Sequence, residues 1–307
     1  MNYAVDLQGL HKTYGGKTAL EDITLQVKEG SCYGLLGPNG AGKSTTMKLL
    51  SGLIQPDRGT ASVFGKDVLR GDESVKELIG YVPQSITLYE KLSALDNLTF
   101  FGELYGVRGA ELKRRIEAVL EKVGLAERAK DPVAEFSGGM KRRINIAAAL
   151  LHKPKLIIMD EPTVGIDPQS RNHIFEMIRG LNRDGVTVLY STHYMEEVEA
   201  LCDELAIIDH GKVLTEGTLD GVLSRHGAHA VYVESEPFVE APVFAGVGAA
   251  SAQGKGWVVE TEEPLQALAR IAAGCQEQGV TVKQLEIVRP SLETVFLSLT
   301  GTTLRDT

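Results

Sequence analysis

Cysteine is scarce: Cys32, Cys202 and Cys275 are the only three in 307 residues. They are odd in number, far apart in the chain and never in a Cys-x-x-Cys pair. This excludes a disulfide framework or a thiolate zinc site and fits a reducing compartment. No run approaches the roughly 18 consecutive apolar residues that span a bilayer, so direct insertion into a membrane is excluded and docking onto a membrane protein is not. The start, Met1-Asn2-Tyr3-Ala4-Val5, has neither a basic cluster nor an apolar run, and reads as lacking a signal peptide. Positive charge is also in deficit. With 32 Lys+Arg against 41 Asp+Glu the net charge is −9, a poor match to nucleic acid, which needs a basic face. Internal repeats and low-complexity tracts are absent too.

What is present is an ordinary globular balance, 43% hydrophobic and 24% charged. The length suggests two domains, or one large domain with an appendix. Apolar and polar residues alternate through Ala4, Leu7 and Leu10 to a turn at Gly15-Gly16, and again from Ala19 to Val27. Cys32–Leu36, Leu156–Met159, Val186–Tyr190 and Leu205–Ile208 read as buried parallel strands. Helical patterns occupy the stretch through Met47, Leu49, Leu50 and Leu53, then residues 110–125 and 137–151. Strands alternating with helices predict an α/β fold with a mainly parallel sheet.

The texture changes near Gly217. Leu214–Thr218 reads as a turn and Leu219–Arg225 as a short helix. Strands are expected at Val231–Val233, Trp257–Val259 and Val280–Val288, and helices at Pro264–Cys275 and after Pro290, with Leu292, Val295, Phe296 and Leu299 on one face. The Gly-, Ala- and Ser-rich stretch from Ala245 to Gly256 reads as a mobile loop. This is a small α/β appendix of its own.

Three stretches carry chemistry. Gly37-Pro38-Asn39-Gly40-Ala41-Gly42-Lys43-Ser44-Thr45 fits G-x-x-x-x-G-K-[ST], with a buried strand before it and a helix after it. Glycines let backbone N–H groups close on phosphates, the helix adds its positive end, Lys43 supplies a charge and the Ser44 hydroxyl suits Mg²⁺. Leu156–Glu161 is an apolar strand that delivers Asp160 and Glu161 to the same sheet edge. Asp160 is the expected Mg²⁺ partner and Glu161 the expected general base on the attacking water. His193 follows a neighbouring strand and is expected to contact the terminal phosphate. The third stretch, Phe136-Ser137-Gly138-Gly139-Met140, opens a helix with a Ser cap and open N–H groups. It is a second anion-binding helix end, 23 residues before Asp160.

This ordered set resembles the nucleotide-binding subunits of ATP-binding cassette (ABC) transporters, over about residues 1–220. The resemblance implies a P-loop NTPase domain of ABC type at 1–220, with antiparallel β and helical subdomains, and an accessory α/β domain for dimerisation or regulation at 228–307. Gly37–Thr45 matches the Walker A loop, Leu156–Glu161 the Walker B strand, Ser137–Met140 the signature and Val164-Gly165-Ile166-Asp167 the D-loop. Gln84 matches the Q-loop glutamine, which touches both Mg²⁺ and the γ-phosphate, His193 matches the switch histidine, and Tyr14 stands where the family stacks a ring on adenine. Phe136 and Met140 replace the usual Leu and Gln of the signature, and Val-Gly-Ile-Asp the usual Ser-Ala-Leu-Asp of the D-loop. Both variants resemble the branch exporting drugs, antibiotics or polysaccharides, as does the ending Arg289–Gly301.

The resemblance therefore implies an ATPase using ATP and Mg²⁺, working as a head-to-tail homodimer in which each ATP meets the Ser137 helix end of the other copy. It implies a separate membrane permease as partner, no nucleic acid, and a peripheral place at the cytoplasmic face of the cell membrane. The permease is expected to dock at Leu88–Gly106, where Leu98, Phe100, Phe101, Leu104 and Tyr105 are either docking surface or core. An importer subunit and a non-transport ABC ATPase remain the alternatives.

Overall fold

A computed structural model of the chain describes residues 2–227, 229–236, 246–288 and 290–300. It divides into two units, Met1–Leu219 and Asp220–Thr303.

In the first unit, β1 (Tyr3–Tyr14) and β2 (Lys17–Lys28) pair antiparallel around the Gly15-Gly16 turn. Both glycines have positive φ, 52° and 84°, which the tight reversal requires. Their alternating Val5, Leu7, Leu10, Leu20, Ile23, Leu25 and Val27 are buried. Next come β3 (Cys32–Leu36), α1 (Lys43–Leu50), β4 (Arg58–Val63) and β5 (Lys66–Asp67). The antiparallel sheet runs β2-β1-β4-β5.

The chain continues through α2 (Glu73–Lys76), β6 (Ile79–Val82), α3 (Ala94–Leu104), α4 (Gly109–Lys122), α5 (Gly138–Leu150), β7 (Leu156–Asp160) and α6 (Pro168–Arg183). β8 (Thr187–Thr192), α7 (Met195–Leu201), β9 (Glu204–Asp209) and β10 (Lys212–Thr218) follow. The second sheet has the order β10-β9-β3-β8-β7-β6. β9, β3, β8, β7 and β6 are mutually parallel, and β3, β7 and β8 are buried along their whole length. Such strands are covered on both faces, which is why their sequences are apolar runs rather than alternations.

β10 corrects one expectation. Residues 214–218 are not a turn: they belong to an edge strand paired antiparallel to β9, from Lys212 opposite Asp209 to Thr218 opposite Glu204. Its turn-like composition is that of an edge, half-exposed and needing only one partner. Within the expected docking segment only Ala94–Leu104 is helical, capped by Ser93, whose Oγ accepts from the Asp96 N–H. Leu98 belongs to the core, Phe101 is half-buried, and Phe100, Leu104 and Tyr105 are exposed. Leu98 is thus core, as one of the two readings has it, while Phe100, Leu104 and Tyr105 reach the surface.

The second unit holds α8 (Leu219–His226, entering at its first residue), β11 (Ala230–Glu236), β12 (Ala249–Gln253), β13 (Gly256–Glu260), α9 (Pro264–Glu277), β14 (Thr281–Val288) and α10 (Leu292–Thr300). Its antiparallel sheet runs β12-β13-β11-β14. Val231, Val233 and Val259 pack with Ala267, Ile271 and Cys275 of α9. β12 is a second correction: part of the expected mobile loop is a strand, joined to β13 by a tight reversal with Gly254 at φ 58°. Ala245, and from the expected terminal motif Arg289 and Gly301, lie outside the described residues.

Candidate nucleotide site

The loop after β3 is built by steric exclusion. A Cβ on Gly37 would lie 2.2 Å from the Ile208 carbonyl oxygen, so only glycine fits there. Gly42 has φ 112°, and a Cβ there would meet Ala19 O at 2.8 Å. The loop then feeds α1, whose first turn carries no acidic residue, leaving its positive end unopposed. Lys43 is buried, and its Nζ donates to Gly37 O at 2.7 Å and Pro38 O at 3.1 Å.

The second half comes from β7. Asp160 Oδ1 accepts from Ser44 Oγ at 3.0 Å and from Ser191 Oγ at 2.8 Å. Glu161 follows in the left-handed region, φ 46°, an uncommon conformation for a buried non-glycine residue. The next strand holds it there: the Glu161 N–H faces Ser191 Oγ at 3.1 Å and Ser191 O at 3.2 Å. This turn aims the carboxylate across the sheet edge. Glu161 Oε1 lies 3.0 Å from Lys43 Nζ, and Oε2 accepts from Gln84 Nε2 at 2.9 Å. His193 Nδ1 stands 3.4 Å from Oε1, without hydrogen-bond geometry. Nearby, burial and then the Asp160 charge push the Tyr81 hydroxyl up to about 12, keeping it neutral.

Strand order explains this convergence. β3, β8, β7 and β6 are adjacent and parallel, so the segments leaving their carboxyl ends carry Gly37–Ser44, His193, Glu161 and Gln84 to one edge. A cleft of about 400 Å³ opens there, lined by Tyr14, Asn39, Gly40, Gly42, Lys43, Ser44, Thr45, Gln84 and Glu161, with Lys17, Thr18 and Ala19 completing it. Ala41 is buried beneath the loop. Tyr14 is 47% exposed, its ring at the cleft.

The Ser137–Met140 end of α5 lines no part of this cleft. Ser137 is a true N-cap, its Oγ accepting from the Met140 N–H at 3.2 Å. Gly139 is packed against α6, where a Cβ would fall 2.2 Å from Ser170 Oγ. Asp167 does local work the sequence reading did not assign: it caps α6, accepting from the Ser170 N–H at 2.9 Å, and that bond holds its carboxyl below the usual range.

Sequence reasoning missed a buried polar cluster behind the site. Glu197, on α7, is buried and accepts from Thr163 at 2.6 Å, Tyr190 at 2.9 Å and Thr192 at 2.7 Å. It thus ties the segment after Glu161 to the strand that delivers His193. Burial, and secondarily the Glu197 charge, raise the Tyr190 hydroxyl far above its ordinary value. The available signal was Tyr190-Ser191-Thr192, three hydroxyls closing a buried strand, which need buried partners. The cysteines held another surprise: Cys32 and Cys202, distant in sequence, place their free thiols 3.9 Å apart.

Comparison with known proteins fits this geometry. Residues 20–164 match the family model described as ABC transporter. The chain is 45% identical to the linearmycin resistance ATP-binding protein LnrL of Bacillus subtilis, over 97% of this chain and 99% of that one. It is 38% identical to the daunorubicin resistance ATP-binding protein DrrA2 of Streptomyces coeruleorubidus (97% and 95%), and 37% identical to the Nod factor export ATP-binding protein I of Sinorhizobium fredii (99% and 88%). Among solved structures, it resembles an ATP binding subunit of an ABC transporter at 35% identity and TM-score 0.66, over 72% of this chain and 92% of that one. A dimeric post-hydrolysis ATP-binding cassette bound to ADP and Pi matches at 29% identity and TM-score 0.64, over 70% and 98%. With the cleft, the converging strand ends and near-full-length relatives in agreement, the chain belongs to the ABC transporter family, as an ATP-binding and ATP-hydrolysing subunit.

Proposed function

We propose that the chain powers export of a small molecule, antibiotic or lipid-like compound through a separate membrane permease, acting as a head-to-tail homodimer at the cytoplasmic face of the membrane. The observation that carries the dimer is that one polypeptide presents two anion-binding helix ends, α1 in the cleft and α5 outside it. One ATP uses both only across an isologous pair.

In this reading Gly37–Thr45 wraps the phosphates and Tyr14 stacks on adenine. Incoming phosphate draws Lys43 away from Glu161, which frees the carboxylate. Glu161 takes the proton of the attacking water as the water oxygen bonds to the γ-phosphorus, and the bond to the ADP oxygen breaks, leaving ADP and phosphate. Gln84 and His193, both beside Glu161, orient the water and the terminal phosphate. Ser137–Met140 and Asp167 of the partner copy close over the nucleotide. The hydroxyl of Ser44 and the carboxylate of Asp160, 3.0 Å apart, form a hard-oxygen pair that suits Mg²⁺, and Gln84, which lines the same cleft as Ser44, would add its amide oxygen. Bound there, the ion would neutralise phosphate charge.

A groove of about 670 Å³ lined by Lys48, Leu53, Lys76, Ile79, Tyr81 and Tyr105 supports permease docking next to α3. Leu53 and Leu104 are 63% and 70% exposed, an apolar surface a partner would cover. Among the described residues no helix is long and apolar enough to cross a membrane. The test is the oligomeric state of Glu161→Gln with ATP and Mg²⁺, alone and with Ser137→Arg. Dimers that vanish on adding Ser137→Arg, with monomer ATP affinity retained, support the reading. The neighbouring reading frames test the partner: a permease without its own ATPase that co-purifies with this chain supports export, and a solute-binding protein encoded there would overturn it.

A further inference from the structure

Arg142 is buried, 4% exposed, in the first half of α5. Its Nη1 donates to Pro83 O at 2.7 Å and its Nη2 to the carbonyl of Gln84. Its Nε is buried without a partner, and among the described residues no carboxylate forms an ion pair with it. A guanidinium this dry, held only by backbone carbonyls, is costly to bury unless it holds something in place. One turn further along α5, Asn145 Oδ1 accepts from the Thr87 hydroxyl at 2.9 Å and from the Thr87 N–H at 3.3 Å. α5 therefore grips residues 83–87 at two points. Gln84 is held at both ends: its side chain donates to Glu161 inside the nucleotide cleft, and its carbonyl is held by Arg142.

We propose that Arg142 is a positioning residue that converts occupancy of the nucleotide cleft, felt by Gln84, into placement of the α5 tip that carries Ser137–Met140. The tip lies five residues up the same helix, about 7.5 Å along its axis. A helix transmits such a displacement as a rigid rod. When phosphate reaches Lys43 and Glu161, Gln84 loses its present partner and its loop shifts. The paired donors carry that shift to α5. This inference rests on the reading of the α5 tip as the second half of the nucleotide site; of its readouts only the dimer fraction requires the dimer, and hydrogen exchange measured at a protein concentration that keeps the chain monomeric does not.

The experiment uses the full chain with Mg²⁺ and a non-hydrolysable ATP analogue, which leaves the resting Gln84–Glu161 contact intact, and reads amide hydrogen exchange at residues 83–87 and 137–141, affinity for the analogue and dimer fraction. With Arg142→Met we expect affinity for the analogue within about twofold of the parent, an intact response to it at 83–87, a lost response at 137–141 and dimerisation weaker by roughly tenfold. Arg142→Lys, which keeps the charge and one donor contact at most, gives an intermediate response. A tip that responds normally to the analogue in both variants overturns the proposal. Equal loss at both segments overturns it as well, because that is the signature of general unfolding. If the parent itself never dimerises yet its tip responds to the analogue through Arg142, the head-to-tail reading fails and this one stands.

Discussion

Replacing Glu161 by Gln separates two jobs that the carboxylate performs. In the structure it neutralises Lys43 at 3.0 Å, both side chains being about 5% exposed or less. At an effective dielectric constant of 20 the gross attraction at that distance is about 5–6 kcal/mol. Phosphate must displace this contact to reach Lys43. Gln retains a dipole, and Lys43 keeps its two carbonyls, so only part of the competition is relieved. ATP should then bind tighter by about 1–2 kcal/mol, five- to thirtyfold. Turnover should fall by about 10²–10⁴-fold, the usual worth of a general base and about 3–5 kcal/mol of barrier. Equilibrium ATP binding and phosphate release under saturating ATP give the two numbers. A kcat within about tenfold of the parent would refute Glu161 as the base, and weaker ATP binding would refute competition for Lys43.

Three other outcomes follow from the same geometry. Tyr14→Ala should weaken ATP binding by roughly 1–3 kcal/mol, with Tyr14→Trp near neutral, if stacking rather than the hydroxyl matters; fluorescence titration with a nucleotide analogue decides. Glu197→Ala strands the hydroxyls of Thr163, Tyr190 and Thr192 and should cost about 2–5 kcal/mol in urea unfolding; an unchanged midpoint would mean water takes over as acceptor. His152 donates Nε2–H to Ile79 O at 2.9 Å and buries an unpartnered Nδ1, so burial holds its ring below the ordinary 6.5. The unfolded chain takes up that proton first. The contribution is therefore complete above the ordinary value and is lost as pH falls from there toward the lowered folded value. His152→Gln should flatten this part of the stability–pH curve, and an identical slope would remove His152 as its source.

The sequence by itself determined the chemistry-bearing segments, because local physics writes them locally. A phosphate loop needs glycine at its left-handed positions, Gly40 and Gly42, a buried parallel strand must be apolar before Asp160, and a helix start needs a cap such as Ser137. Those constraints sit within a few neighbouring residues. Leu214–Thr218 and Ala249–Gln253 escaped because an edge strand's state is fixed by its pairing, here with β9 and β13, and not by its own composition. Only the tertiary structure decided that β3, β8, β7 and β6 stand side by side, bringing Lys43, His193, Glu161 and Gln84 together from separate parts of the chain. It alone set the left-handed turn at Glu161, the three-hydroxyl cradle of Glu197 and the hold of Arg142 on Gln84. Each depends on at least one hydrogen bond between residues far apart in sequence, Glu161 with Ser191, Thr163 with Glu197 and Arg142 with Gln84, and no local pattern encodes the partner of a buried polar group.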